Sequence, residues 1–162
     1  MLRTPGTGLG GAACSDGGLF VQASVSEGRS TMSENETQSQ GDVNTEESAR
    51  SVTAYLNNQT SFTLTLKSSS LQGGEWVIKP PATIAAGQKG KWQSDSDGFM
   101  TGTEGNCVYR LSDGKTECKA HWNNPYTGSN SYSLDVDNPT YKGTYDGGGG
   151  DNATVNYYLS KV

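Results

Sequence analysis

The stretch Ser51-Val52-Thr53-Ala54-Tyr55-Leu56-Asn57-Asn58-Gln59-Thr60-Ser61-Phe62-Thr63-Leu64-Thr65-Leu66 alternates apolar and polar residues on either side of a polar break. Val52, Ala54 and Leu56 take one phase, and Phe62, Leu64 and Leu66 take it again beyond Asn57-Asn58-Gln59. A period of two describes strands with one buried face, and a short polar break between two of them predicts a hairpin. Working outward, further strands are predicted over 75–78, 90–94, 106–111, 116–122, 131–136, 141–145 and 154–161, separated by Gly, Asn, Asp or Pro clusters. No helical period intervenes. Short strands at close spacing predict an all-β fold, a single antiparallel β-sandwich. Pro80-Pro81 is expected to break a ladder and carry the chain between sheets, and Gly147 to Gly150 to form a hairpin tip.

Upstream the character changes. Residues 1–50 are rich in Gly and then in Ser, Glu, Gln and Asn, without either period, and are expected to be a disordered tail. The domain is therefore placed at 51–162, and with only 31% hydrophobic residues in the chain its core must come from there. Met32 offers an internal start, which makes residues 1–31 a candidate extension. Residues 2–25 sustain no apolar run of the kind a secretory signal needs, and no segment has the length of a membrane-spanning helix. Gly6-Thr7-Gly8-Leu9-Gly10-Gly11 fits a dinucleotide-binding spacing, but no strand precedes it and no helix pattern follows, so it reads as low complexity.

The net charge is −5, of which four units lie in residues 1–50, where three Arg face seven carboxylates. The domain is left at −1. Neither part offers the basic stripe that nucleic acid requires, and anionic lipid would not attract this surface by charge. Any membrane contact must then be specific.

Three cysteines exclude a dense disulfide framework. Cys107 and Cys118 flank a hairpin turn at Ser112-Asp113-Gly114-Lys115, in a register that puts them diagonally on one face, as a disulfide or as two buried thiols. His121 is the only histidine, so a serine triad would have to be built around it, and a zinc site would need Cys107, Cys118 and a carboxylate to converge. Its neighbours Cys118, Ala120 and Trp122 occupy the inward phase, which leaves His121 facing out. Asp95 and Asp97 read as solvated or capping turn residues, and no set of residues assembles a catalytic, metal or cofactor site. Asn58-Gln59-Thr60, Asn152-Ala153-Thr154 and Asn35-Glu36-Thr37 are glycosylation sequons that carry weight only in a secreted chain.

Two loops stand apart. Ser96-Asp97-Gly98-Phe99-Met100-Thr101-Gly102-Thr103-Glu104-Gly105 sets two apolar residues inside a Gly-punctuated polar run, and Asn124-Pro125-Tyr126-Thr127-Gly128-Ser129-Asn130-Ser131-Tyr132 displays an aromatic among turn formers. With a sandwich beneath them, Phe99 and Met100 are expected to turn inward and anchor their loop. Tyr126 follows a proline and is expected to be offered to a ligand. Glu104 either accepts hydrogen bonds from loop amides or recognises a cationic or hydrogen-bonding head group.

The residues from about Val52 to Leu159 resemble the aegerolysin family, and most closely its bacterial insecticidal branch, the small component of a binary crystal toxin. The resemblance rests on Asn58, Thr60, Leu64 and Leu66, on Gly73-Gly74 with Trp76 and Pro80, and on Gly98 to Gly105. It continues through Asn124-Pro125-Tyr126, Gly128-Ser129-Asn130 and Tyr132, and the closing Gly-rich stretch with Val155 and Tyr157. It implies a small β-sandwich without enzymatic activity or cofactor, made without a signal peptide, cytoplasmic or released by a non-classical route. Such a protein binds sphingolipid or sterol-rich membranes of target cells and recruits a larger pore-forming partner. By the same resemblance Glu104 and Tyr126 are lipid-binding residues, with Thr103, Trp122 and Ser129 as further contacts, and Tyr126 stands where lipid-binding fungal members carry Trp. The function expected is lipid binding in a cytolytic, haemolytic toxin system. The rival is a non-toxic binding or developmental protein on the same sandwich, with a protein or glycan ligand.

Overall fold

The computed structural model describes residues 49–162, and these form ten strands and no helix. Apart from Ala49 and Arg50, the tail, the Gly6–Gly11 run, Cys14, Met32 and the Asn35 sequon lie outside the described residues. One five-stranded sheet has the order β3-β5-β1-β10-β9 and the other β4-β2-β6-β7-β8. In the first, β1 (Ser51–Asn58), β3 (Glu75–Ile78), β5 (Lys89–Asp95), β9 (Tyr141–Gly147) and β10 (Asn152–Lys161) take part. The second holds β2 (Leu64–Gly73), β4 (Thr83–Ile84), β6 (Thr103–Leu111), β7 (Glu117–Asn124) and β8 (Ser131–Val136). They pack face to face as a sandwich. The period-two reading holds at the residue level: Val52, Ala54, Leu56, Leu64, Leu111, Ala120, Val155 and Leu159 are all buried.

The hairpin expected across Asn57–Gln59 does not form. β1 lies between β5 and β10 in one sheet, while β2 pairs with β4 and β6 in the other. The break is an arch between sheets, and Asn58 is the reason. Its buried side chain donates from Nδ2 to the carbonyls of Phe62 (2.8 Å), Ile84 (3.3 Å) and Ala85 (3.0 Å). Its Oδ1 accepts from the Thr60 amide and hydroxyl. Those bonds tie the break between β1 and β2 to Phe62 and to the end of the strand Thr83–Ile84 in the other sheet. A second departure is that β1 and β10 run parallel, Ser51 opposite Asn152 through Asn58 opposite Leu159, in an otherwise antiparallel sandwich.

Other features follow the sequence more closely. Pro80-Pro81 lies where the chain leaves β3 for β4 in the opposite sheet. β2 continues seven residues past Leu66 through Lys67-Ser68-Ser69-Ser70, where two register shifts break the alternation that would have marked it. Cys107 faces Ala120 and Cys118 faces Tyr109 across the β6–β7 hairpin, so the two buried thiols are diagonal and free. The core between the sheets is aromatic. Trp92 of β5 packs on Trp122 of β7 at 5.7 Å and stacks on Tyr157 of β10 at 6.0 Å, and Trp76 meets Trp122 edge-on. Burying each such ring contributes on the order of 1.5–3 kcal/mol.

The strand directions gather the β2–β3, β5–β6, β7–β8 and β9–β10 connections and the start of β1 at one end of the sandwich. A second buried amide pins that end. Asn124 Nδ2 donates to the carbonyls of Ser51 (3.0 Å) and Asp151 (2.7 Å), tying β7 to the starts of β1 and β10 in the other sheet.

Candidate functional site

The two loops singled out in the sequence are neighbours at this end. They touch because Gly102 has no side chain: a Cβ there would lie 2.5 Å from the Asn124 carbonyl oxygen and 2.7 Å from Pro125 Cα. Between them runs a groove of about 510 Å³ lined by Gln72, Met100, Glu104, Asn123, Tyr126 and Thr127, among others.

Glu104 is half-exposed in this groove. Its Oε1 lies 3.1 Å from Nε2 of His121, which faces outward on β7 as expected. The pairing comes from the hairpin register, since Asn106 faces His121 and Glu104 faces Asn123. The described side-chain partner of Glu104 is an imidazole, so one carboxylate oxygen is oriented while the group stays accessible to a ligand donor.

Tyr126 is half-buried rather than freely displayed. Its ring lies beneath the guanidinium of Arg50, whose Cζ is 5.3 Å from the ring centroid. Arg50 also donates to the carbonyls of Pro125 (3.1 Å) and Tyr126 (2.8 Å) and forms an ion pair with Asp151. Although the sequence reading counts Arg50 with the tail, it is the clamp of the second loop. Nothing in its sequence context marks it. His121 as the partner of Glu104 was within reach, because the Asp113-Gly114 turn sets the register that brings the two together.

Thr103 and Trp122 do not offer their side chains to a ligand. Thr103 is 1% and Trp122 0% exposed, and both meet Ser94 Oγ, at 2.7 Å from Thr103 Oγ1 and 2.9 Å from the donating Trp122 Nε1. They form the rigid floor beneath the groove, because alternation along β6 and β7 turns them inward where Glu104, His121 and Asn123 turn out. Ser129 is exposed but lines a different groove, on the far side of Pro125.

Phe99 and Met100 reverse the expectation that they anchor the loop. Phe99 is 91% exposed and Met100 54%. The short turn closes on itself, with Thr101 Oγ1 donating to the Gly98 carbonyl at 2.8 Å. Met100 moreover holds a left-handed φ of 58°, a conformation that costs a non-Gly residue on the order of 1 kcal/mol. Among the described residues no group of three or more His, Cys, Asp or Glu side chains could hold a metal ion, and no helix is long and apolar enough to cross a membrane.

Solved structures share this architecture. That of the lipid binding protein Nakanori superposes with a TM-score of 0.63 at 18% identity, covering 70% of this chain and 72% of that one. The RahU protein, solved in complex with a Tris molecule, superposes with a TM-score of 0.59 at 19% identity, covering 70% of this chain and 96% of that one. An uncharacterised protein of Dictyostelium discoideum is 29% identical over 82 residues, which span 51% of this chain and only 7% of that relative's length. The aegerolysin family model matches residues 49–162, the whole of the described sandwich, and the chain belongs to the aegerolysin family.

Proposed function

We propose that the loop end of the sandwich is a membrane-lipid recognition surface, with Glu104 and its groove taking a sphingolipid-type head group while Phe99 and Met100 enter the interface. The observation that carries this reading is the 91% exposure of Phe99 beside a groove with an oriented carboxylate. Loop aromatics facing water are otherwise a loss: moving one such ring out of water is worth about 1.5–3 kcal/mol, roughly a ten- to hundred-fold gain in affinity. The strained Met100 fits a tip shaped for contact, since sparsely populated backbone conformations concentrate at binding sites. Family membership and the lipid-binding activity named for Nakanori point the same way. Within a cytolytic system this chain is the binding component, and a larger partner forms the pore.

Co-sedimentation of the full chain with liposomes of graded sphingolipid content tests the reading. Binding should rise with sphingolipid, and Phe99→Ser should lower it at least ten-fold with the thermal midpoint unchanged. Equal failure to bind every composition while the fold is intact would refute it. Release of an entrapped dye by this chain alone would remove the need for a partner.

A further inference from the structure

A second groove, of about 450 Å³, opens at the same end between the β7–β8 and β9–β10 loops. We infer that it is a binding site for the ring of a neutral sugar. The inference does not rest on the lipid reading, because the groove lies beyond Pro125 from Glu104 and shares neither Glu104 nor Tyr126 with it.

Three observations support this ligand class. The first is an apolar face in a polar groove. Tyr145 is 48% exposed and is fixed by tilted contacts with Tyr132 at 5.8 Å and Tyr157 at 6.5 Å. A rigid, half-exposed ring of this kind suits the C–H face of a pyranose, which is apolar while its edge is hydroxylated. The second is the set of groups around it. Asn130 donates both of its described bonds from Nδ2, to the carbonyls of Gly148 (2.8 Å) and Gly150 (2.9 Å), which leaves Oδ1 as an acceptor. The Asp151 carboxylate, 72% exposed, and the exposed Ser129 hydroxyl line the same groove, which therefore offers a carboxylate, an amide and a hydroxyl beside the ring of Tyr145. The third is charge. Arg50, the cation of this groove, is only 17% exposed and already held by Asp151, Pro125 and Tyr126, so the groove presents no free cation for a phosphate.

The backbone has been cleared for such a ligand. Gly148 closes the inner wall, where a Cβ would lie 2.1 Å from the Tyr132 ring, and Tyr132 donates its hydroxyl proton to the Gly148 carbonyl at 2.9 Å. Gly149 and Gly150 beyond it are open, with nothing within 4 Å of a Cβ at either. A hydroxyl edge can therefore approach the main chain directly.

The isotope-labelled full chain, titrated with glucose, galactose, N-acetylglucosamine and, separately, phosphocholine while amide NMR signals are followed, tests the site. One of the sugars should shift Gly148 to Asp151 and the Asn130 side chain saturably, and Tyr145→Leu should weaken it at least ten-fold. Ser129→Ala, a substitution at an exposed position, should weaken it several-fold and decides the matter if Tyr145→Leu fails to fold. A panel in which no sugar moves these signals, or in which phosphocholine alone does, overturns the inference. Liposomes carrying a glycosylceramide and a glycoprotein bearing the same terminal sugar, each competed by free sugar, then identify whether the ring belongs to a lipid or to a protein.

Discussion

His121 Nε2 stands 3.1 Å from Glu104 Oε1, joining the single histidine of the chain to the carboxylate of the loop-end groove. The imidazole is 30% and the carboxylate 40% exposed, so the pair is formed at the edge of the site rather than in the core.

On the lipid-recognition reading proposed above, His121 is a positioning residue. His121→Ala should lower liposome binding several-fold by releasing one oxygen of Glu104, and His121→Gln, which keeps a donor, should restore part of it. In a Glu104→Ala background the His121 substitution should have no further effect. A double-mutant cycle of dissociation constants reads this coupling, and additive losses would contradict it.

The arch at Asn58 should be among the most sensitive positions of the fold. Asn58→Ala removes a buried amide that serves three carbonyls and also accepts from the Thr60 amide and hydroxyl, for a loss of about 2–4 kcal/mol in urea unfolding. A loss below ~1 kcal/mol would mean that water replaces the amide at the arch. The same burial makes Asn58 a poor glycosylation acceptor despite its sequon, whereas Asn152 is exposed.

Neighbouring glycines of the β9–β10 tip should behave oppositely. Gly148→Ala meets the Tyr132 ring and keeps an unfavourable φ of 86°, and should cost roughly 2 kcal/mol or more. Gly149→Ala enters open space and should leave the thermal midpoint unchanged. Equal effects of the two would show that the tip is not packed as described.

The buried thiols should be inert while the domain is folded. Burial, with the neighbouring Cys118, pushes the Cys107 thiol well up, and burial pushes that of Cys118 up to about 12. At pH 8 a thiol with that value is roughly one ten-thousandth thiolate, the reactive form. In a Cys14→Ser variant no thiol should react with Ellman's reagent at pH 8 until denaturant is added, when both should react. Rapid labelling of the native variant would place one of the two at the surface.

Much of this architecture was legible in the sequence because alternation reports burial directly. The strands at 75–78 and 131–136 were read to the residue, and those around Trp92, Cys107 and Trp122 to within a few. The Glu104 and Tyr126 loops were recognised by their composition, and their adjacency depends on Gly102, one of the glycines that made the first loop conspicuous. The two-residue β4 and the Ser-rich half of β2 carry too little pattern to be seen.

Alternation alone located most of the strands and the buried face of each, and the near-neutral charge of the domain left no basic stripe for a polyanion. Outside the β6–β7 hairpin, marked by its Asp113-Gly114 turn, alternation does not say which strand lies beside which. A period of two states that Val52 and Leu64 both point inward, and that is equally true of a hairpin and of an arch between sheets. Only the tertiary structure, through the three carbonyls that converge on Asn58, decided for the arch. The same holds for Phe99. Its hydrophobicity argues for burial, but the turn that carries it closes on itself through Thr101 and Gly98 and leaves the ring 91% exposed, which no one-dimensional pattern reports.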